Sequence, residues 1–180
     1  MKLKEQYQKI VKPALKEKFG YANDLAIPRI TKISLNVGVG RLTKDKGQLE
    51  AVAHNIARIT GQKPIMAKAK KSISAFKLRE GTTIGVAVTL RGQRMYDFLE
   101  KLIKVTFPRV RDFRGVDPKK MDKTGNLSIG FKEHIAFPEI KADEVDNIHG
   151  LEVNITTTAK NAKEGLELFQ LLGFPFKKDN

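Results

Sequence analysis

Apolar residues recur near the N-terminus at Leu3, Tyr7, Ile10, Val11, Leu15 and Phe19, the spacing of one helix face, and Gly20 follows as a natural stop. Pro13 predicts a kink inside this first helix. Ile33, Leu35, Val37 and Val39 then alternate with small or polar residues, the period of a half-buried strand. Leu49, Val52, Ala53, Ile56 and Ile59 mark a second helix ended by Gly61. A short strand is expected over 64–67, then a basic loop, then a longer strand with Ile84, Val86, Val88 and Leu90 on one side.

Met95, Phe98, Leu99, Leu102 and Ile103 form the apolar face of a third helix, whose continuation Pro108 should block. Residues 109–126 follow neither period and hold Gly, Pro and Asp at turn positions, which predicts a long exposed loop. Leu127, Ile129 and Phe131 suggest another strand, and Leu151, Val153 and Ile155 a further one. A last helix is expected over 162–172 on Leu166, Phe169 and Leu172, with Gly173 after it. Strands arrive singly and in hairpins with helices between them. The predicted class is α+β: a mostly antiparallel or mixed sheet, helices packed on one face, and a long basic hairpin loop.

At 180 residues and 41% hydrophobic, the chain can bury one substantial core, so a single domain over 1–180 is expected, with loops at 70–82 and 109–126 extending from it. Charge changes the picture more. Lys and Arg number 34 against 20 Asp and Glu, a net charge of +14, and self-repulsion on that scale is relieved by a polyanionic partner. Nucleic acid fits. A membrane surface would need a basic amphipathic helix or a lipid anchor, but the first helix mixes acids with bases and no lipidation signal is present. No stretch approaches the roughly 18 apolar residues of a membrane span, and the charged N-terminus is unlike a signal peptide. The expectation is a soluble cytoplasmic protein.

The positive charge is local. Lys63, Lys68, Lys70, Lys71, Lys77 and Arg79 lie in one stretch without an acidic residue. If all six met phosphates, affinity would fall about a thousandfold between ~50 and ~200 mM salt. Ile73 and Phe76 in the same stretch fit no period. Two readings of Phe76 stay open: stacking on an unpaired base, or packing on its own loop. A second basic stretch, 101–120, contains Arg109, Arg111 and Arg114, whose guanidinium forks hold phosphate in a fixed geometry. Residues 133–152 reverse the sign, with six acids and one base, and suit solvent or a basic protein.

Enzymatic signatures are missing. With no cysteine, thiolate metal sites and Cys nucleophiles are excluded. Gly38–Thr43 begins like a dinucleotide fingerprint but lacks its third glycine, and no Gly-Lys-Ser/Thr phosphate loop exists. The three histidines do not have helical zinc spacing. Glu133 beside His134 would point to opposite faces of a strand and would not meet as base and orienter. The reading motifs of RRM and KH modules are also absent, so a shaped RNA is the expected target, and no cofactor or metal is called for. The alternatives are a general RNA chaperone or an RNA-modifying enzyme. The enzyme would need a cofactor loop or a convergent acid and base, and an acidic-protein or membrane-surface adaptor is a further class.

ISLNVGVG at 33–40, TGQKPIMAKAKKSISAFKLREG at 60–81, IGVAVTLRGQRMYDFLEKLI at 84–103, PRVRDFRGV at 108–116, FPEI at 137–140, LEVNITTTA at 151–159 and GFPF at 173–176 closely resemble the family of the fifth ribosomal protein of the bacterial large subunit. The match runs in order over nearly the whole chain. The resemblance implies a non-catalytic protein whose exposed sheet face grips 5S rRNA in the central protuberance. It also implies contacts with large-subunit rRNA, with peptidyl-site tRNA, and with a basic small-subunit protein in an intersubunit bridge, as a monomer within the ribosome. Carried over by position, it assigns Ser34, Asn36, Gln62, Lys63, Lys68, Phe76, Thr89 and Arg91 to 5S rRNA. Lys70, Lys71, Ser72, Lys77, Leu78 and Arg79 fall to tRNA, and Arg109, Arg111, Arg114, Glu139, Asp143 and Glu144 to the rRNA or bridge side. Arg41, Thr82, Thr83, Met121 and Leu127 depart from the family pattern.

Overall fold

The computed structural model describes residues 1–40, 45–141 and 147–177. Over these residues it is α+β, with four helical rods and a five-stranded antiparallel sheet. The strands are β1 (Ile30–Gly38), β2 (Ile65–Lys68), β3 (Thr83–Leu90), β4 (Leu127–Phe131) and β5 (Leu151–Thr157), in the order β2-β3-β1-β5-β4. Along β1 from Ile33, along β4 and along β5, buried and more exposed positions alternate, as the sequence period requires.

Two compact units divide the chain. The first comprises Met1–Ile33, Leu90–Ile129 and Asn154–Asn180. Its first rod, α1, is α-helical over Leu3–Gln6, π-helical over Tyr7–Val11 and α-helical again over Lys12–Phe19, ending on Gly20 in the left-handed region. Pro13 has no N–H to offer the Lys9 carbonyl and its ring crowds that turn, so the helix widens just before it. The expected kink is therefore absorbed as a π segment. Ile10, expected on the apolar face, is exposed instead, while Leu3, Val11 and Leu15 are buried.

The third rod, α3, repeats the device. It is α-helical over Gly92–Lys101, π-helical over Leu102–Thr106 and α-helical over Phe107–Arg109. Pro108 ends the helix as expected, one residue on at Arg109, and Val110 takes an extended backbone; the widened turn before Pro108 tolerates the missing bond. Thr106 and Phe107 go inside, and Ile103 is only half-buried. The Leu3 amide donates to Glu100 Oε2 at 3.2 Å, tying α1 to α3. Phe107 stacks on Phe113 at 5.0 Å and meets Phe174 edge-on at 5.8 Å, and Phe169 meets Phe174 at 4.9 Å. The last helix, α4 (Ala162–Leu171), buries Phe169, with Leu172 just beyond it, as expected, and adds Glu164, Gly165 and Leu168, while Leu166 is only half-buried.

The stretch 109–126 is only half exposed, and it is tethered. Val116 exchanges backbone hydrogen bonds with Pro175 (2.7 Å) and Lys177 (3.0 Å). Asp122 closes the turn at its end, accepting from the Thr124 amide (2.9 Å), the Asn126 amide (2.7 Å) and the Asn126 side chain (2.7 Å). Burial alone would raise the Asp122 carboxyl, and these donors outweigh it, so it is held below the usual carboxylate range. Met121 and Leu127, two of the departures from the family pattern, pair across this turn.

The second unit comprises Ser34–Thr89 and Gly130–Val153. Its helix, α2 (Lys46–Thr60), starts on Asp45, whose side chain accepts from the Gln48 amide, and ends on Gly61 in the left-handed region. Leu49, Val52, Ile56 and Ile59 supply its buried stripe, as their spacing predicted. Leu35, Val37, Val86, Val88, Phe131, Phe137 and Val153 are among the other buried residues here.

Candidate nucleic-acid interface

In the second unit, β2 pairs antiparallel with β3, setting Ile65 opposite Ala87 and Ala67 opposite Gly85. Directly paired residues share a sheet face. A β-carbon at Gly85 would lie 3.6 Å from both the Ala67 methyl and Asn36 Oδ1, so Asn36 of β1 projects from the same side. Ser34, two residues before Asn36, and Thr89, two residues after Ala87, follow by the strand period. The result is a shallow uncharged surface of small residues, with Asn36 and Thr89 exposed on it, Ser34 half-buried, and Ile65 68% exposed at the β2 end. Such a surface admits a sugar edge or base plane closely, and Asn36 offers it both a donor and an acceptor.

Gln62 reaches this face from the α2 to β2 connection: its Nε2 donates to the Thr89 carbonyl at 3.2 Å. Part of its hydrogen-bonding capacity thus fixes the connection to the end of β3. Lys63 and Lys68 bracket β2 and are exposed. The residues carried over for 5S rRNA therefore converge on this unit, except Arg91, which stands exposed at the start of α3 in the other unit.

Beyond β2 the basic stretch is a folded hairpin arm. The register slips at Ala67/Lys68, after which Ala69 donates to the Thr82 carbonyl (2.8 Å) and Gly81 to the Ala69 carbonyl (2.9 Å). Ile73 and Leu78 pair by 2.9 and 3.1 Å hydrogen bonds, and Ser72 Oγ accepts from the Glu80 amide at 2.9 Å. The tip is a 3₁₀ turn, Ser74–Phe76, closed by Lys77. Lys70, Lys71, Ser72, Lys77 and Arg79 are exposed, while Leu78 is half-buried under its pair with Ile73. Phe76 is 78% exposed, so it does not pack on its own loop.

The bridge-side residues separate. Arg109, Arg111 and Arg114 are exposed in the first unit. Glu139, in the second, is half-buried, and its carbonyl accepts from Arg58 Nη2 at 2.6 Å. Asp143 and Glu144, together with Arg41, lie outside the described residues.

Sequence reading missed one feature. His134 is not on a strand: it opens a short 3₁₀ turn, is fully buried, and stacks on His149 with centroids 3.8 Å apart and planes within 6°. The His149 amide donates to His134 Nδ1 at 3.3 Å, and the Asn55 side chain lies 3.4 Å from His134 Nε2. Burial and the neighbouring His134 pull His149 down to about 4, and burial lowers His134 too. Both rings are neutral at pH 7. Fifteen residues separate them and no spacing rule joins them, so the sequence carried no signal for the pair. Among the described residues no cluster has a metal-holding set of side chains, and no helix is long and apolar enough to cross a membrane.

Comparison with known proteins accounts for both halves of the chain. Residues 23–79 match the family model described as ribosomal protein L5, and residues 83–176 match the model of the C-terminus of the same ribosomal family. Among similar curated proteins is the large ribosomal subunit protein uL5 of Halothermothrix orenii, 52% identical over 176 residues, 98% of each chain. That of Desulforapulum autotrophicum is 55% identical, covering 97% of this chain and 98% of its own. That of Dictyoglomus turgidum is 54% identical over 98% of each.

Proposed function

Because the chain belongs to the ribosomal protein L5 family, we propose that it is a non-catalytic constituent of the large subunit of cytoplasmic ribosomes whose second unit clasps 5S rRNA. The observation that carries this reading is the uncharged sheet face bearing Asn36 and Thr89, with Lys63 and Lys68 exposed at its side and Phe76 projecting from the arm. Lysines draw the polyanion in, and the polar face gives the shape and hydrogen-bond selectivity that charge cannot. On the arm, Lys70, Lys71, Ser72, Lys77, Leu78 and Arg79 are assigned to the peptidyl-site tRNA, while Phe76 stays with 5S rRNA. Arg109, Arg111 and Arg114 fall to large-subunit rRNA, and the acidic stretch including Glu139, Asp143 and Glu144 to a basic small-subunit protein at a bridge.

Filter binding tests the central assignment. The isolated protein should prefer 5S rRNA strongly over an unrelated RNA of equal length. Asn36→Ala or Gln62→Ala should weaken 5S binding about tenfold, or ~1.4 kcal/mol, the scale of one or two net hydrogen bonds. A single exposed-lysine change should mainly reduce the salt slope, by about 0.9. Equal affinity for both RNAs refutes the assignment. A crosslinking map in purified subunits tests the tRNA and bridge contacts.

A further inference from the structure

The tip of the arm contains a conformation that its charge does not explain. Of the residues closing the Ile73–Leu78 pair, Lys77 alone has a positive φ, +51°. In this left-handed pose its amide donates to the Ser74 carbonyl at 2.9 Å, and the chain turns back so that Leu78 meets Ile73. A side-chain-bearing residue adopts this region at an energetic penalty and keeps it only where the surroundings demand it. The residue immediately before it is Phe76, the exposed aromatic of the arm. Positive charge at the tip is redundant, since Lys70, Lys71 and Arg79 are also exposed on the same arm. The backbone turn is not redundant.

We propose that Lys77 is a positioning residue: its left-handed backbone, rather than its ammonium group, fixes the tip turn that presents Phe76 to RNA. The proposal rests on the 5S rRNA reading for its ligand and on the hairpin geometry for its mechanism. Lys77→Asn and Lys77→Val both remove the charge. They differ in backbone, because Asn tolerates the left-handed region and a β-branched residue does not. They also differ in polarity, since the Asn amide can itself hydrogen-bond RNA; the Phe76→Ala background separates the two effects, because a direct Asn contact survives there and a positioning effect does not.

With in-vitro transcribed 5S rRNA as probe, the Lys77→Asn protein should bind at least tenfold more tightly than the Lys77→Val protein. In a Phe76→Ala background the same pair should differ by less than twofold, because the group being positioned is gone. The chain has no tryptophan, so Phe76→Trp provides a single tryptophan at the tip, excited selectively over the three tyrosines. Its anisotropy in the free protein should be higher with Lys77→Asn than with Lys77→Val. Equal RNA affinities of the two variants, or a tenfold gap that persists without Phe76, overturn the proposal. If the wild-type protein shows no preference for 5S rRNA, the functional reading falls separately, and equal anisotropies then overturn the positioning role on its own terms.

Discussion

A β-carbon at Gly125 would stand 2.7 Å from the Ala159 methyl and 2.9 Å from the Asn161 carbonyl, at a φ of +79°. One at Gly165 would come within 2.6 Å of the Gly125 backbone. The Asp122–Asn126 turn and α4 thus touch backbone to backbone, and Thr157 seals the contact by donating to the Gly125 carbonyl at 3.0 Å. Gly125→Ala should destabilise the protein by about 2–4 kcal/mol, adding left-handed strain to overpacking, as read from urea denaturation midpoints. The sequence marked Gly125 as a turn residue, but the close approach to Gly165, forty positions away, has no local signature. The histidine pair is a second residue-scale case. Its folded pKa values lie below the unfolded value of 6.5, so the unfolded chain takes up protons first as pH falls. Stability should therefore be full above about pH 6.5, decline toward pH 4, and level off there as far as these groups are concerned. Replacing both rings with Phe should flatten that window in thermal melts, leaving the loss at lower pH that comes from carboxylates such as Asp24, which Lys16 and Lys12 hold below its ordinary range.

At the scale of elements, hydrophobic period locates the four helical rods and four of the five strands of the described residues, because each buries a stripe or face that spacing alone reports; β2, which has no buried residue, is placed by its neighbours instead. The period says less about helix interiors. Pro108 reads as a stop, since a lost hydrogen bond and a steric clash usually end a helix. The helix does stop one residue later, at Arg109, but the period gives no hint of the π segment over Leu102–Thr106 that spreads the strain before it, or of the packing of Phe107 against Phe113 and Phe174. The facing of α4 turns Phe169 and Leu172 inward as expected but leaves Leu166 half-buried, and Gly165 lies on the buried side, where a hydrophobic count gives it no weight. The start of α4 offers a clean test. Asn161 Oδ1 accepts from the Glu164 amide at 2.9 Å, and Glu164 Oε2 accepts from the Lys160 amide at 3.0 Å. Asn161→Ala should lower stability by about 1 kcal/mol without altering RNA affinity, measured by denaturation and filter binding on the same preparation.

Across the whole molecule, the excess of positive charge was legible from composition, and its concentration in the arm was legible from the order of residues. The face proposed to convert attraction into selectivity was only partly so. Alternation placed Asn36 and Thr89 outward, but the register bringing Ala67, Gly85 and Asn36 together is a property of strand pairing. The Gln62 to Thr89 bond likewise depends on how Gly61 turns the chain out of α2. In the proposed function charge gives reach and the assembled face gives choice, so salt should weaken binding to all RNAs while leaving a preference for 5S rRNA largely intact. Reconstitution of large subunits with this protein omitted tests that claim most directly. Particles assembled without it should lack 5S rRNA and regain it when the protein is added back; full 5S occupancy in its absence would contradict the account.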